Sequence, residues 1–325
     1  LFAAMDELNE QQRLAVTYEP HGALVVVAGP GSGKTKVVVH RIAHMIDVLH
    51  AAPSSIVLVT FTNKGAPPPS VIGLCTKCRL AAREMKRRVR VLVGDERATQ
   101  IIMGTFHSVC ARYLRKHGAA VGIRPSFSVL DSSESRAVIK RILDRLKMTD
   151  IPVDQMAHFI SSAKNRSKTV DTSGKDAASH DRMRVFAAYN DQLRDDNSLD
   201  FDDLLHFGQL LFSERPDVLS AIRHVLVDEF QDTNELQYDL ARSLCRTTAS
   251  LTVVGDPDQS IYGWRHATAS NLTRRLRVDY EQCETITLDT NYRSTSSIVR
   301  GSQLVIESGT KDIFSLFLRT FLTSF

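Results

Sequence analysis

Leu24-Val25-Val26-Val27-Ala28-Gly29-Pro30-Gly31-Ser32-Gly33-Lys34-Thr35 joins an apolar β-branched run to a glycine-rich loop, and the loop opens onto a segment with a different period. Val38, Ile42, Met45, Ile46 and Leu49 recur there at helical spacing, so one apolar face of a helix is expected over 34–49. Comparable short runs follow at Ile56-Val57-Leu58-Val59, Ile101-Ile102-Met103, Val225-Leu226-Val227 and Leu251-Thr252-Val253-Val254. Runs that are apolar at every position suit strands buried on both faces, which in turn need helical crossovers. The expected fold class is therefore α/β: a parallel sheet flanked by helices. From about Arg112 to Asp196 strand signals nearly vanish, as in Ser135-Arg136-Ala137-Val138-Ile139-Lys140-Arg141-Ile142-Leu143, and a helical insertion is expected. Its polar stretch from Lys164 to Asp181 reads as an exposed loop.

The loop itself suits a phosphate. Its glycines permit unusual dihedrals, so that successive N–H groups and the helix N-terminus can surround phosphate oxygens. Gly29, Pro30, Gly31, Ser32, Gly33, Lys34 and Thr35 are the expected nucleotide contacts, with Lys34 reaching the β/γ-phosphates and Thr35 a ligand of Mg²⁺. Ala28 stands where the strict pattern has its first glycine.

Asp228-Glu229-Phe230-Gln231-Asp232-Thr233 follows the run Val225 to Val227. Adjacent acids at the end of a buried strand are costly unless a cation or strong donor meets them. Asp228 is the expected second Mg²⁺ ligand, and Glu229 the group that orients or deprotonates an attacking water. The same pair without the loop would read as a helix cap and a first-turn acid. A third stretch, Gly255-Asp256-Pro257-Asp258-Gln259-Ser260-Ile261-Tyr262-Gly263-Trp264-Arg265, places an amide, two aromatics and an arginine after another strand. That suits a phosphate contact beside a base-stacking surface, although Trp264 also suits a core anchor.

The 325 residues exceed the usual single-domain size, and the net charge is only +4. Arg79 to Arg97 holds seven basic residues against three acids, an excess as large as that of the whole chain, which fits either phosphate binding or a solvated helix face. Five cysteines, an odd number, argue for a reducing compartment. Cys75 and Cys78 lack a second ligand pair at zinc spacing, so no structural zinc is expected. No apolar run is long enough to span a membrane, and none of the start resembles a secretory signal. Leu1 suggests an N-terminus that lies further upstream.

These blocks, in this order, resemble the N-terminal part of UvrD/Rep-type superfamily 1 DNA helicases. Leu8-Asn9-Glu10-Gln11-Gln12 resembles the family's adenine-reading motif, with Gln12 as reader. Thr60-Phe61-Thr62-Asn63-Lys64 and Gly104-Thr105-Phe106-His107-Ser108 resemble blocks along the single-strand path, which implies DNA contacts for Phe61, Thr62, Asn63 and His107; taken alone, His107 reads as a packed core histidine. The resemblance also implies that Gln259 senses the γ-phosphate and that Tyr262, Trp264 and Arg265 face DNA. Leu288-Asp289-Thr290-Asn291-Tyr292-Arg293-Ser294 resembles the start of a second motor lobe, with Tyr292 packing on adenine and Arg293 acting as an arginine finger.

The resemblance implies a RecA-like ATP-binding lobe over 1–112 and 197–284, a helical insertion subdomain over 113–196, and a truncated start of the second lobe over 285–325. It further implies ATP and Mg²⁺ as cofactors, single-stranded DNA and DNA junctions as partners beside repair or recombination proteins, and 3′→5′ unwinding. Gly65 to Leu80 interrupts a block that the family runs straight through, as an unspliced intron would; that points to a eukaryotic source such as a fungus, a likeness to the anti-recombinase helicases, and a nuclear location, against a cytoplasmic one otherwise. Rival readings are a truncated module that binds ATP and single strands without unwinding, and a small-molecule kinase.

Overall fold

The computed structural model describes residues 5–19, 21–60, 74–165, 177–245, 250–259 and 274–309. Phe61, Thr62, Asn63, Tyr262, Trp264 and Arg265, the proline-rich part of the segment 65–80, most of the polar loop after Lys164 and the apolar C-terminal stretch lie outside these residues.

The order begins with α1 (Glu10–Thr17), β1 (Ala23–Ala28), α2 (Lys34–Asp47), β2 (Ile56–Thr60), α3 (Leu74–Val93), α4 (Asp95–Gln100), β3 (Ile102–Thr105) and α5 (Phe106–His117). It continues with β4 (Ser128–Val129), α6 (Ser132–Leu146), α7 (Val153–Asn165), α8 (Ala177–Asp195), β5 (Ser198–Leu199) and α9 (Phe201–Glu214). Then come β6 (His224–Asp228), α10 (Glu235–Leu244), β7 (Ser250–Gly255), α11 (Leu276–Asp279), β8 (Cys283–Leu288) and α12 (Ser296–Gly309).

Six strands form one sheet in the order β3-β2-β6-β7-β1-β8, and every pairing is parallel. The expected α/β class holds. Alternation divides the strands between two cores: Val25, Val57, Val59, Val225, Val227 and Val253 face α5, α9 and α10, whereas Leu24, Val26, Ile56, Leu58, Leu226 and Val254 face α2 and α3. Burying one such side chain contributes roughly 1.5–3 kcal/mol, which is why a sheet covered on both faces needs no alternating pattern. β8, which the sequence runs did not disclose, pairs with β1 over Ala23↔Cys283 to Ala28↔Leu288. The expected lobe boundary at 285 thus falls inside a strand of the first sheet.

A third core, with Val138, Ile139, Ile142, Leu143, Met156, Ile160, Val185, Tyr189 and Leu193, lies within α6, α7 and α8. The chain leaves for these helices through β4 and returns through β5, and these two strands pair with each other at Ser128↔Ser198 and Val129↔Leu199. Both ends of the helical excursion are thereby pinned side by side.

One expectation is corrected. Lys164 is not on an exposed loop but buried at the end of α7, where its Nζ meets Asp200 Oδ2 at 2.8 Å and Asp203 Oδ1 at 2.7 Å. Two carboxylates make burial of an ammonium tolerable, and no local signal ties Lys164 to Asp200, 36 positions away, or to Asp203 beyond it. Residues 74–80, assigned to the interruption, are the first turns of α3 and run on into its remainder.

Candidate active site

The parallel sheet brings the chemistry-bearing residues together, because the loops that follow its strands all leave from one edge. Register fixes the neighbours: Thr60 lies opposite Asp228 across β2 and β6, and Val27 opposite Gly255 across β1 and β7. The phosphate loop, the acid pair and the Gln259 segment therefore start from adjacent strands.

In the loop, Gly31 and Gly33 have φ of +72° and +90°, conformations that a side chain would strain. Ser32 Oγ donates to the Gly29 carbonyl at 2.7 Å, and α2 begins at Lys34. Lys34 Nζ donates to the carbonyls of Ala28 (3.1 Å) and Gly29 (3.3 Å) and meets Asp256 Oδ2 at 3.4 Å. Its ammonium is thus curled over the loop, held by two carbonyls and a carboxylate.

Asp228 is 5 % exposed, and burial first, then the neighbouring Glu229, pushes its carboxyl up to about 7; Lys34 opposes this. Glu229 sits in the left-handed region at φ +53°, with its N–H donating to Asp228 Oδ1 at 3.0 Å. A non-glycine residue there costs roughly 1–3 kcal/mol and recurs at working sites. Glu229 Oε2 accepts from Gln231 Nε2 at 2.8 Å.

Gln231 in turn accepts the Asp256 N–H at its Oε1 (3.0 Å), and Asp256 Oδ2 accepts from Gln259 Nε2. A continuous polar path thus runs Glu229–Gln231–Asp256, where it branches to Lys34 and Gln259. Asp256 and Gln231, 1 % and 2 % exposed, were quoted in the sequence blocks without a role. The available signal for Asp256 was an acid just past a buried strand, as at Asp228. Nothing local announces its pairing with Lys34, 222 positions away.

Thr35 and Asp228 offer a hydroxyl and a carboxylate, hard oxygen donors that suit Mg²⁺. The raised carboxyl also fits, because a dication would offset the two neighbouring negative charges. Among the described residues no cluster of three or more His, Cys, Asp or Glu forms a further metal centre.

On the other side of the loop, Gln12 caps α1 with Asn9 and donates its Nε2 to the Ser32 carbonyl at 2.8 Å. Its carboxamide is engaged on both ends, as Oε1 accepts the Asn9 N–H at 3.2 Å. Tyr292 is 60 % exposed, with its hydroxyl accepting from Asn9 Nδ2 at 2.8 Å, and Arg293 is exposed beside Gly31. His107 is 5 % exposed, with its ring edge-on to Phe201 at 5.5 Å.

A family model described as the UvrD/REP helicase N-terminal domain matches residues 8–278. The chain is 38% identical over 318 residues to the ATP-dependent DNA helicase PcrA of Staphylococcus aureus, covering 95% of this chain and 41% of that protein. It is 36% identical over 307 residues to PcrA of Leuconostoc citreum, with 92% and 38% covered. Against the ATP-dependent DNA helicase srs2 of Schizosaccharomyces pombe it is 34% identical over 316 residues, with 90% and 34% covered. The chain therefore spans about two fifths or less of the length of these curated relatives.

Proposed function

Because the chain belongs to the UvrD/REP helicase family, we propose that it binds and hydrolyses ATP with Mg²⁺, and that in the full-length protein this hydrolysis drives 3′→5′ movement along single-stranded DNA and unwinding in repair or recombination. The observation that carries the reading is the convergence of Lys34, Glu229 and Gln259 on one path through Gln231 and Asp256.

In this reading the loop N–H groups cradle the phosphates and Lys34 leaves Asp256 for their oxygens. Thr35 and Asp228 would hold Mg²⁺, which neutralises charge on the phosphate oxygens. Glu229, steadied by Gln231, accepts the proton of the attacking water. Gln259 shares Asp256 with Lys34, so loss of the lysine contact on phosphate binding reaches it directly. Gln12 and Tyr292 address the base, and Arg293 the γ-phosphate.

Phe61, Thr62, Asn63, Tyr262, Trp264 and Arg265 are assigned to the single strand, together with the block around His107; junction-bearing DNA and repair or recombination proteins are the partners. The expected boundaries at 112 and 284 cut α5, which packs on the sheet, and β8, which pairs in it, so the lobes are read as 1–129 with 198–288, a helical insertion over 130–197 and a second-lobe start thereafter. A nuclear location follows for a eukaryotic source and a cytoplasmic one for a bacterial source.

The share of the relatives' length matched favours a second reading for these 325 residues alone: a module that holds nucleotide and single strands without turnover. Hydrolysis assayed with and without single-stranded DNA separates the two, since a working motor is strongly stimulated. Lys34→Ala should abolish hydrolysis in the full-length parent and leave its circular dichroism unchanged; a purified variant that still turns over would remove the assignment.

A further inference from the structure

Asn291 follows β8 and was assigned no role, yet its carboxamide joins two parts of the site. Its Nδ2 donates to the Pro30 carbonyl in the phosphate loop. Its Oδ1 accepts the N–H groups of Arg293 and Ser294, both at 2.8 Å. Two donors on one atom leave a single sensible orientation for the amide, with nitrogen toward Pro30. The adjacent Tyr292 N–H donates to the Gly31 carbonyl at 2.9 Å.

This docking requires Gly31. A Cβ at that position would lie 2.6 Å from Arg293 Cβ and 2.8 Å from Asn291 Oδ1. The docked segment takes the loop's carbonyls, whereas a phosphate is held by N–H groups. Docking and phosphate binding therefore use different groups of the same loop, and both can be present together. Two further contacts fasten the segment on the α1 side: Asn9 Nδ2 to Tyr292 Oη at 2.8 Å and Gln11 Nε2 to Asp289 Oδ2 at 2.8 Å.

We propose that Asn291 is a positioning residue for Arg293: by binding the loop with one end of its carboxamide and the Arg293 backbone with the other, it sets where the guanidinium meets the terminal phosphate of a bound triphosphate. The proposal rests on the ATP-site reading above. Arg293 acts on the ligand, and Asn291 acts through Arg293.

The test titrates the 325-residue chain with Mg-ATP and Mg-ADP by calorimetry, as wild type, Arg293→Ala, Asn291→Ala and the double variant. Asn291→Ala should weaken ATP roughly five- to tenfold and ADP much less, the scale of one or two lost hydrogen bonds near a charge. The double variant should bind ATP no worse than Arg293→Ala alone, because a residue acting through Arg293 has nothing left to position. Asn291→Ser stays uncharged and keeps a side-chain oxygen as acceptor but lacks the amide donor to Pro30. It should show the same loss of ATP over ADP preference, and it supplies the comparison if Asn291→Ala does not fold. An unchanged ATP/ADP ratio in both Asn291 variants, or losses that multiply in the double variant, would overturn the proposal. Failure of the wild type to bind ATP would instead overturn the site reading and this proposal with it, and is distinguished by the silence of every chain.

Discussion

Asp228 carries the largest electrostatic tension in the site, because strand burial and Glu229 both disfavour its charge. Its folded pKa of about 7 lies above the ordinary 3.8, so the folded state holds a proton that the unfolded chain has lost between those values. The stability this represents is fully present below 3.8 and is lost as pH rises through about 7. Asp228→Asn should flatten that decline and make the chain more stable than wild type at pH 8, by an amount on the order of a few kcal/mol. Urea unfolding at pH 5 and pH 8 reads it; parallel curves for the two chains would show that the carboxyl is solvated. The place of Asp228 and Glu229 was legible in sequence because it is local: adjacent acids where an apolar run ends. Asp256 was not, since its part depends on Lys34 and Gln231 arriving from elsewhere.

Between elements, the decisive contact is the ion cluster under α9. Asp200 caps that helix and accepts from Lys164 and from Tyr189 Oη (3.0 Å), so α7, α8 and α9 meet on one carboxylate. Burial and Asp200 together raise the Asp203 carboxyl to about 6, with Lys164 opposing. Asn165 extends the contact, donating to Asp202 at 3.0 Å and accepting from Asn234, the cap of α10, at 3.3 Å. The helical excursion is thereby fastened to the segment that carries the acid pair. Lys164→Met should destabilise by about 3–5 kcal/mol, because it strands two carboxylates in an enclosed site. Denaturant unfolding measures the loss, and a change under about 1 kcal/mol would show that water already reaches the cluster. Arg41 plays a similar part for α1, donating from the core to the carbonyls of Ala15 (2.9 Å), Val16 (3.2 Å) and Tyr18 (2.8 Å), with burial lowering its pKa to about 10.

At the scale of the whole molecule, the proposed single-strand contacts rest on the family. Affinity for a single strand should fall as salt rises if phosphates supply most of it. Trp264→Ala should weaken binding by about 1–3 kcal/mol where a base stacks on the indole; an unchanged dissociation constant in a fluorescence titration would return Trp264 to the core. Among the described residues no helix is long and apolar enough to cross a membrane. Five of the six sheet strands were legible as apolar runs: the four inner ones because a strand buried on both faces must be apolar throughout, and the half-buried edge strand β3 from Ile101-Ile102-Met103 at its start. β8 was hidden: Cys283-Glu284-Thr285-Ile286-Thr287-Leu288 is an edge strand whose outer side meets water, so alternation with polar residues costs it nothing. The sequence by itself determined the parallel α/β class and the positions of the glycine-rich loop and the acid pair, each of which follows from residues in continuous stretches. Only the tertiary structure decided that Asp256 receives Lys34, that Lys164 is buried between two aspartates, and that Asn291 is seated on Pro30. These are pairings between distant segments, fixed by strand order and register, which no local period encodes.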